Sequence, residues 1–168
     1  MQSYFIKLTR SIFSKNKSRL FNPIDWPISW KYIPDGYTFF FQLALHETCD
    51  DQGMLYCFIH QDNANDYMIM YYPSIIDLKK LNVHQKGYAM TFHKTYNDDD
   101  DRMKIWGKPM SINVEFDDEE ILLFQYDPYD VMDSPLFFGL DGYVYVMINK
   151  TDLVNKNYHK AYLVIDRL

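Results

Sequence analysis

Short runs of aromatic and β-branched residues recur along most of the chain, and clusters of Asn, Asp, Gly and Pro separate them. Runs of this length and composition are typical of β-strands. Within residues 110–116 the apolar positions also alternate with polar ones, as they do in a strand that buries one face. The pattern predicts strands at residues 37–46, 53–60, 67–72, 87–93, 110–116, 121–126, 142–148 and 161–166.

Three other segments carry the signals of helices. Residues 1–22 contain five basic residues and no acidic one, and they predict a basic N-terminal helix. Ser74 and Asp77 have the spacing of a capping box, and Asn149 or Thr151 is expected to cap a last helical turn. Together the patterns predict an α+β fold, with a mostly antiparallel β-sheet, an internally duplicated hairpin-like unit and two or three short helices.

The duplication is predicted because one pattern occurs twice. Each copy has a strand with a Phe-Gln pair, an acidic loop, an Asp-Gly or Asp-x-Gly turn, and an aromatic strand. The first copy contains Gln42 and Gly53, and the second contains Gln125 and Gly142. The glycine opens the second strand from a turn that favours positive φ. The glutamine is expected to reach backbone groups of the neighbouring loop.

Length and composition indicate one globular domain. The chain has 168 residues, of which 48% are apolar, enough to bury a core. We therefore predict a single domain over residues 1–168, with residues 37–72 as its first half and 110–166 as its second. Cys49 and Cys57 are predicted to be free thiols in a reducing compartment. No apolar run approaches the ~20 residues of a membrane span, and we expect a cytoplasmic protein.

The repeated pattern also resembles the YwqG-like family, bacterial proteins with an internal duplication and no assigned activity. The resemblance covers residues 26–60 and 121–166, about half of the chain. It implies an immunity role as an expectation, because genes of this family and of similar small acidic proteins often lie beside toxin genes. The matching motifs are Trp26-Pro27, Phe40-Phe41-Gln42-Leu43, Gly53-Met54-Leu55-Tyr56-Cys57-Phe58, Leu122-Leu123-Phe124-Gln125-Tyr126-Asp127, Gly139-Leu140-Asp141-Gly142-Tyr143-Val144-Tyr145 and Ile148-Asn149-Lys150-Thr151-Asp152-Leu153, with Tyr158.

Negative charge is concentrated in one part of the chain. The net charge is −6, which argues against nucleic acid as a partner. Residues 98–133 contain twelve acidic and three basic residues. Like charges at this density stay solvated. Such a surface can attract a basic protein, and the alternative is a solvated turn that aids solubility. The predicted partner-binding residues, acidic side chains with two tyrosines as anchors, are Asp98, Asp99, Asp100, Asp101, Asp117, Asp118, Glu119, Glu120, Tyr126, Asp127, Tyr129, Asp130 and Asp133.

Other kinds of site have weaker support. His46, Cys49, Cys57 and His60 have the residue types of a Cys₂His₂ zinc site, but Cys57 and His60 fall on opposite faces of a predicted strand. No Gly-x-Ser-x-Gly motif and no phosphate-binding glycine loop is present in the sequence. We therefore predict no catalytic residues, no metal ligands and no cofactor.

These observations predict a non-enzymatic protein-binding domain. Its concrete form would be an immunity protein that neutralises a cognate bacterial toxin through the acidic, aromatic surface. The expected partner is thus a basic protein, and neither nucleic acid nor a membrane. The alternative is a small-molecule-binding or hydrolytic domain that uses a cleft between the duplicated halves, with Gln42, Gln125, Asp127 and Asp141 near its mouth.

Overall fold

A computed structural model describes residues 2–10, 15–21, 24–81, 87–96, 102–111, 113–131 and 142–167. Within these ranges the secondary structure is mainly β, and the strand pairings are antiparallel. The strands are β1 (Tyr4–Arg10), β2 (Arg19–Leu20), β3 (Ile24–Pro27), β4 (Tyr37–Ala44), β5 (Met54–His60), β6 (Asn63–Tyr72), β7 (Leu78–Leu81), β8 (Tyr88–Lys94), β9 (Lys104–Ile105), β10 (Glu120–Tyr126), β11 (Gly142–Asn149) and β12 (Tyr162–Arg167).

The prediction of an α+β fold is wrong, because the described residues contain a single α-helix, α1 (Lys150–Val154). The Asn149 side chain accepts a hydrogen bond from the Thr151 amide, so the predicted cap of this helix is confirmed. Three short 3₁₀ turns, at Leu45–Glu47, Pro128–Asp130 and Tyr158–Lys160, complete the helical structure that is described. Among the described residues, no helix has both the length and the apolar character that crossing a membrane requires.

Two predicted helices are replaced by other structure. The N-terminal segment forms β1 and β2, because Ile6 is buried between exposed and half-buried neighbours and its amide donates to the Met103 carbonyl at 2.8 Å. Asp77 has a φ of 61°, which a right-handed helix does not allow. The Ser74 hydroxyl accepts a hydrogen bond from the Ile76 amide at 2.9 Å, so it caps a turn instead of a helix.

Seven of the predicted strands are confirmed, as β4, β5, β6, β8, β10, β11 and β12. The strand predicted at residues 110–116 is wrong for the described part of that segment. Its backbone amides bind side chains instead of a neighbouring strand. The Met110 amide donates to Gln125 Oε1 at 2.9 Å, and the Val114 amide donates to Ser111 Oγ at 2.8 Å. Side-chain partners of this kind compete with a β-ladder, and the apolar alternation does not reveal them.

The chain divides into two compact units. We call Leu8–Thr91 the first unit, and Met1–Lys7 with Phe92–Leu168 the second unit. The first unit contains the strand order β8-β2-β4-β5-β6, with β8 only as far as Thr91, and the separate pair β3-β7. An apolar cluster in this unit includes Trp26, Tyr56 and Phe58, with Trp30 packed against them. The predicted first half, residues 37–72, lies in this unit, and the single-domain assignment stays a prediction.

The second unit contains the strand order β12-β11-β10-β9-β1, with β1 only as far as Lys7. Leu122, Tyr145 and Met147 form a buried cluster on its sheet, and Phe116 and Tyr162 pack against that cluster. The predicted second half, residues 110–166, lies in this unit.

The two units contain the same local hairpin, β4–β5 in the first and β10–β11 in the second. Gln42 lies opposite Tyr56, and Gln125 lies opposite Tyr145, with a register shift just ahead of each Phe-Gln pair. On the other side of each glutamine a two-residue strand, β2 or β9, provides a buried basic residue as the Cα partner. Each of these short strands is followed by an aromatic residue with positive φ, Phe21 or Trp106.

The two hairpin glycines are required for different reasons. Gly142 has a φ of 145°, and a Cβ there would lie 1.8 Å from the Asp166 carbonyl oxygen. Gly53 has no such φ, but a Cβ there would lie 2.3 Å from the ring of Tyr71. Only the second copy therefore has the left-handed backbone that the repeated turn pattern favours.

Candidate functional site

Gln125 and Tyr145 fix the loop that follows β9. Gln125 is fully buried; its Nε2 donates to the Arg102 carbonyl at 3.0 Å and its Oε1 accepts from the Met110 amide at 2.9 Å. The Tyr145 hydroxyl donates to the Met110 carbonyl. Desolvation by burial raises the pKa of Tyr145, so its hydroxyl stays protonated and remains a donor. Met110 is thus held by both of its backbone groups.

Asp166, at the end of β12, fixes the next part of the same loop. Its carboxylate accepts hydrogen bonds from Ser111 Oγ at 3.0 Å and from Asn113 Nδ2 at 3.1 Å. The Asn113 amide lies 3.3 Å from the same carboxylate. Because a buried carboxylate needs such donors, Asp166 and this loop stabilise each other.

The loop is one wall of a cavity of about 380 Å³ within the second unit. Apolar side chains of Pro109, Val114, Phe116 and Ile121 line it. The Phe116 ring packs edge-on against Tyr145, with 5.4 Å between ring centroids, so the cavity lies next to the buried cluster of this unit. The rest of the lining consists of Gly107, Ser111 and the charged residues Lys108, Asp117, Asp118 and Glu120.

The charged side of the cavity is a tight turn at residues 117–120, which we call the acidic turn. The Glu120 amide donates to the Asp117 carbonyl at 3.0 Å, and Glu120 Oε2 accepts from the Asp117 amide at 2.7 Å. Glu120 Oε1 accepts from the Tyr162 hydroxyl, which holds this half-buried carboxylate in place. Asp117, Asp118 and Glu119 are exposed. Asp118, 95% exposed in its side chain, pairs with Lys108 at 3.8 Å.

The structure separates the predicted partner-binding residues into groups. Asp117, Asp118, Glu119 and Glu120 lie together in the acidic turn, before β10 and at its first residue. Asp127, Tyr129 and Asp130 lie beyond the other end of β10, about 20 Å away at ~3.3 Å per residue. The remaining predicted acidic residues, Asp98, Asp99, Asp100, Asp101 and Asp133, lie outside the described residues.

The group beyond β10 is partly engaged in local structure. Asp127 caps the Pro128–Asp130 turn by accepting a hydrogen bond from the Tyr129 amide at 2.8 Å. Asp130 accepts from the Met103 amide at 3.2 Å. Tyr129 is 64% exposed and is available as an anchor. Tyr126 is only 3% exposed, so its prediction as a surface anchor is wrong. The last five residues of β10 are all buried, because both faces of the strand are covered there.

The residues proposed for an alternative cleft are placed unfavourably for contact with a ligand. Gln42 and Gln125 are both fully buried and hydrogen-bonded within their own units, so their side chains are not exposed to a ligand. The alternative function, with these residues near the mouth of a cleft, stays a prediction. Asp127 serves as a cap, and Asp141 lies outside the described residues.

Cys57 is fully buried, and its desolvation raises the pKa of the thiol. Cys49 and Cys57 are free thiols, as predicted. In the part of the chain that is described, no three His, Cys, Asp or Glu side chains are grouped as metal ligands would be.

In the first unit, Asp25 is held by hydrogen bonds that correspond to those of Met110 in the second unit. Gln42 Oε1 accepts from the Asp25 amide at 2.8 Å, and the Tyr56 hydroxyl donates to the Asp25 carbonyl at 2.5 Å. Asp25 therefore occupies the position that Met110 has in the second unit. Its buried carboxylate is paired with Arg19 at 3.3 Å, with both side chains 1% exposed.

The segment after Asp25 differs from the segment after Met110. Two indole rings, Trp26 and Trp30, pack on Tyr56 with centroid distances of 6.1 and 5.4 Å. In the second unit the corresponding tyrosine, Tyr145, contacts the smaller rings of Phe116 and Tyr143, with centroid distances of 5.4 and 6.2 Å. The loop positions that form the cavity, such as Val114 and Phe116, were not predicted as site residues. The sequence contains one sign of this difference. Two tryptophans, Trp26 and Trp30, follow Asp25, whereas none follows Met110.

One comparison with known proteins bears on this region. The sequence model of a family described as "Domain of unknown function (DUF1963)" matches residues 66–166. The match includes the acidic turn and the cavity, and it leaves out the β4–β5 hairpin. No curated protein matches the chain. The predicted resemblance to a family of unassigned function is thus supported at that level, and the YwqG-like assignment itself stays a prediction.

Proposed function

The chain belongs to the DUF1963 family of domains of unknown function, and from this premise we propose that it is a non-enzymatic domain that binds a basic protein through the acidic turn. The observation that carries the proposal is the exposure of Asp117, Asp118 and Glu119 on one short turn. The Lys108–Asp118 pair is exposed on both sides, so it neutralises this charge only weakly.

Electrostatic attraction of this kind acts mainly on the association rate. A patch of one sign raises the rate at which an oppositely charged partner arrives, and salt screens the effect. Tyr129, with Asp127 and Asp130, would provide a second contact only for a partner large enough to cover the length of β10.

The specific form that we propose is an immunity protein that covers a cognate basic toxin. It is supported by the acidic turn and by the resemblance to the YwqG-like family. An enzyme that acts on nucleic acid is commonly basic, because it must bind a polyanion. An acidic inhibitor would therefore be complementary to it.

Two triple variants test the proposal. The first carries Asp117→Asn, Asp118→Asn and Glu119→Gln. The matched control carries Asp35→Asn, Asp50→Asn and Asp62→Asn, which removes the same charge from exposed positions of the first unit. Each variant and the parent chain are used to capture proteins from a lysate of the source organism, and the captured protein is identified and purified.

Association is then measured by stopped-flow at low and high salt. We expect a basic captured protein whose association rate falls about ten-fold or more for the first variant at low salt, and little for the control. Equal effects of the two variants, or a captured partner with net negative charge, would contradict the proposal.

A further inference from the structure

The cavity beside the acidic turn has the features of a site for one side chain. Its volume of about 380 Å³ lies at the small end of the ~300–1,000 Å³ that is usual for ligand pockets. Val114, Phe116 and Ile121 give it an apolar part, and the acidic turn gives it a charged edge. A ligand that fits both must have an apolar stem and a cationic end.

The first unit shows what a filled version of this arrangement looks like. There the tyrosine that holds the loop is covered by Trp26 and Trp30. In the second unit, Tyr145 has the same hydrogen bond to its loop, and its ring contacts the smaller rings of Phe116 and Tyr143. The cavity adjoins the Phe116 ring, and an apolar group from outside can enter it there.

The charges select among the apolar groups that could enter. Asp117, Asp118 and Glu120 are placed on the cavity lining, and Lys108 is the cation that accompanies them there. A purely aliphatic side chain would leave these carboxylates without a new partner, and an acidic one would meet like charge. Lysine and arginine carry an aliphatic stem and a cation at its end, so they match both parts.

We propose that this cavity receives a lysine or arginine side chain of the partner protein, an inference that rests on the proposed function. The stem lies against Val114, Phe116 and Ile121, and the cation lies between the carboxylates of the acidic turn. The Lys108–Asp118 pair gives way at little cost, since both of its side chains are exposed.

The first test uses small probes and the parent chain. Nα-acetyl-lysine methylamide and Nα-acetyl-arginine methylamide are titrated into ¹⁵N-labelled protein, and amide shifts are recorded by NMR. Nα-acetyl-norleucine methylamide, which has the stem without the charge, is the matched control. We expect saturable shifts at residues 107–121 and affinity about two- to five-fold higher for the cationic probes, the usual effect of an ion pair with largely exposed carboxylates. Equal binding of norleucine, or shifts located elsewhere, would overturn the inference.

The second test separates this inference from the proposed function. Val114→Phe fills the cavity without changing any charge. We expect it to abolish probe binding and to raise the dissociation rate of the basic partner, with the salt-dependent association rate retained. If probes and partner behave as in the parent chain, the cavity does not receive a side chain, although the acidic turn can still attract the partner. If Val114→Phe does not fold, Asp118→Asn replaces it as the test variant, because Asp118 is exposed. We expect Asp118→Asn to weaken the binding of the cationic probes and to leave the binding of the norleucine probe unchanged.

Discussion

Replacing Gln42 by methionine removes three hydrogen bonds while it keeps a side chain of similar length in the core. The amide accepts from the Asp25 backbone at 2.8 Å, and it donates to the Lys17 carbonyl at 2.7 Å and to the Asp25 carboxylate at 3.0 Å. Each buried group that loses its partner costs about 1–3 kcal/mol. The Asp25 carboxylate keeps Arg19, so we expect the free energy of unfolding to fall by about 3 kcal/mol.

Urea denaturation followed by tyrosine and tryptophan fluorescence measures this change. With a denaturant slope of about 2 kcal/mol/M, the midpoint should fall by about 1.5 M. Gln52→Met is the matched control, because Gln52 is exposed and the same substitution there should change stability by less than about 0.5 kcal/mol. Equal midpoints for the two variants would refute the account of Gln42 as the residue that holds Asp25.

A double-mutant cycle with Tyr56→Phe sharpens the test. Gln42 and Tyr56 hold the two backbone groups of the same residue, Asp25. Once one of these side chains is replaced, Asp25 is already partly released, and replacing the other costs less. The loss of stability in the double variant should therefore be smaller than the sum of the two single losses, by about 0.5 kcal/mol or more. Strict additivity would mean that the two side chains act independently.

Three further predictions concern other parts of the chain. In the native protein, Cys49 should react with Ellman's reagent well before Cys57, whose burial keeps its thiol protonated; equal rates would contradict this. Hydrogen bonds from Lys160 and Asn157 lower the pKa of Asp152 from 3.8, so its contribution to stability is present above that value and is lost as the pH falls through the lower folded pKa. Urea midpoints between about pH 6 and pH 2.5 should therefore fall less steeply for Asp152→Asn than for the parent chain. Gly142→Ala should reduce the free energy of unfolding by about 2 kcal/mol or more in the same urea assay, because its φ and the close backbone oxygen both exclude a Cβ.

Much of the strand content could be predicted from local composition. The runs that became β4, β5 and β11 are dense in aromatic and β-branched residues, and their identity as strands depends on little else. The N-terminal helix was predicted wrongly because basic residues at loose intervals fit a helix and a strand equally well. This segment forms the strand β1 because its backbone pairs with a segment about a hundred residues away, at Met103.

The candidate site was predicted only in part for the same reason. The exposure of Asp117, Asp118 and Glu119 follows from charge density alone, since such a cluster cannot be desolvated. Tyr126 was misplaced, because composition does not show that both faces of the end of β10 are covered.

The sequence by itself determined which segments extend, where the Phe-Gln hairpin is repeated and that residues 117–119 stay in water, because these depend on residue type and near neighbours. The tertiary structure alone decided that buried glutamines hold distant loops, that Asp166 fixes Ser111 from 55 positions away, and that an open space lies beside Phe116. Those features depend on contacts between segments far apart in the chain. The free energy of each is set by partners that no local pattern records.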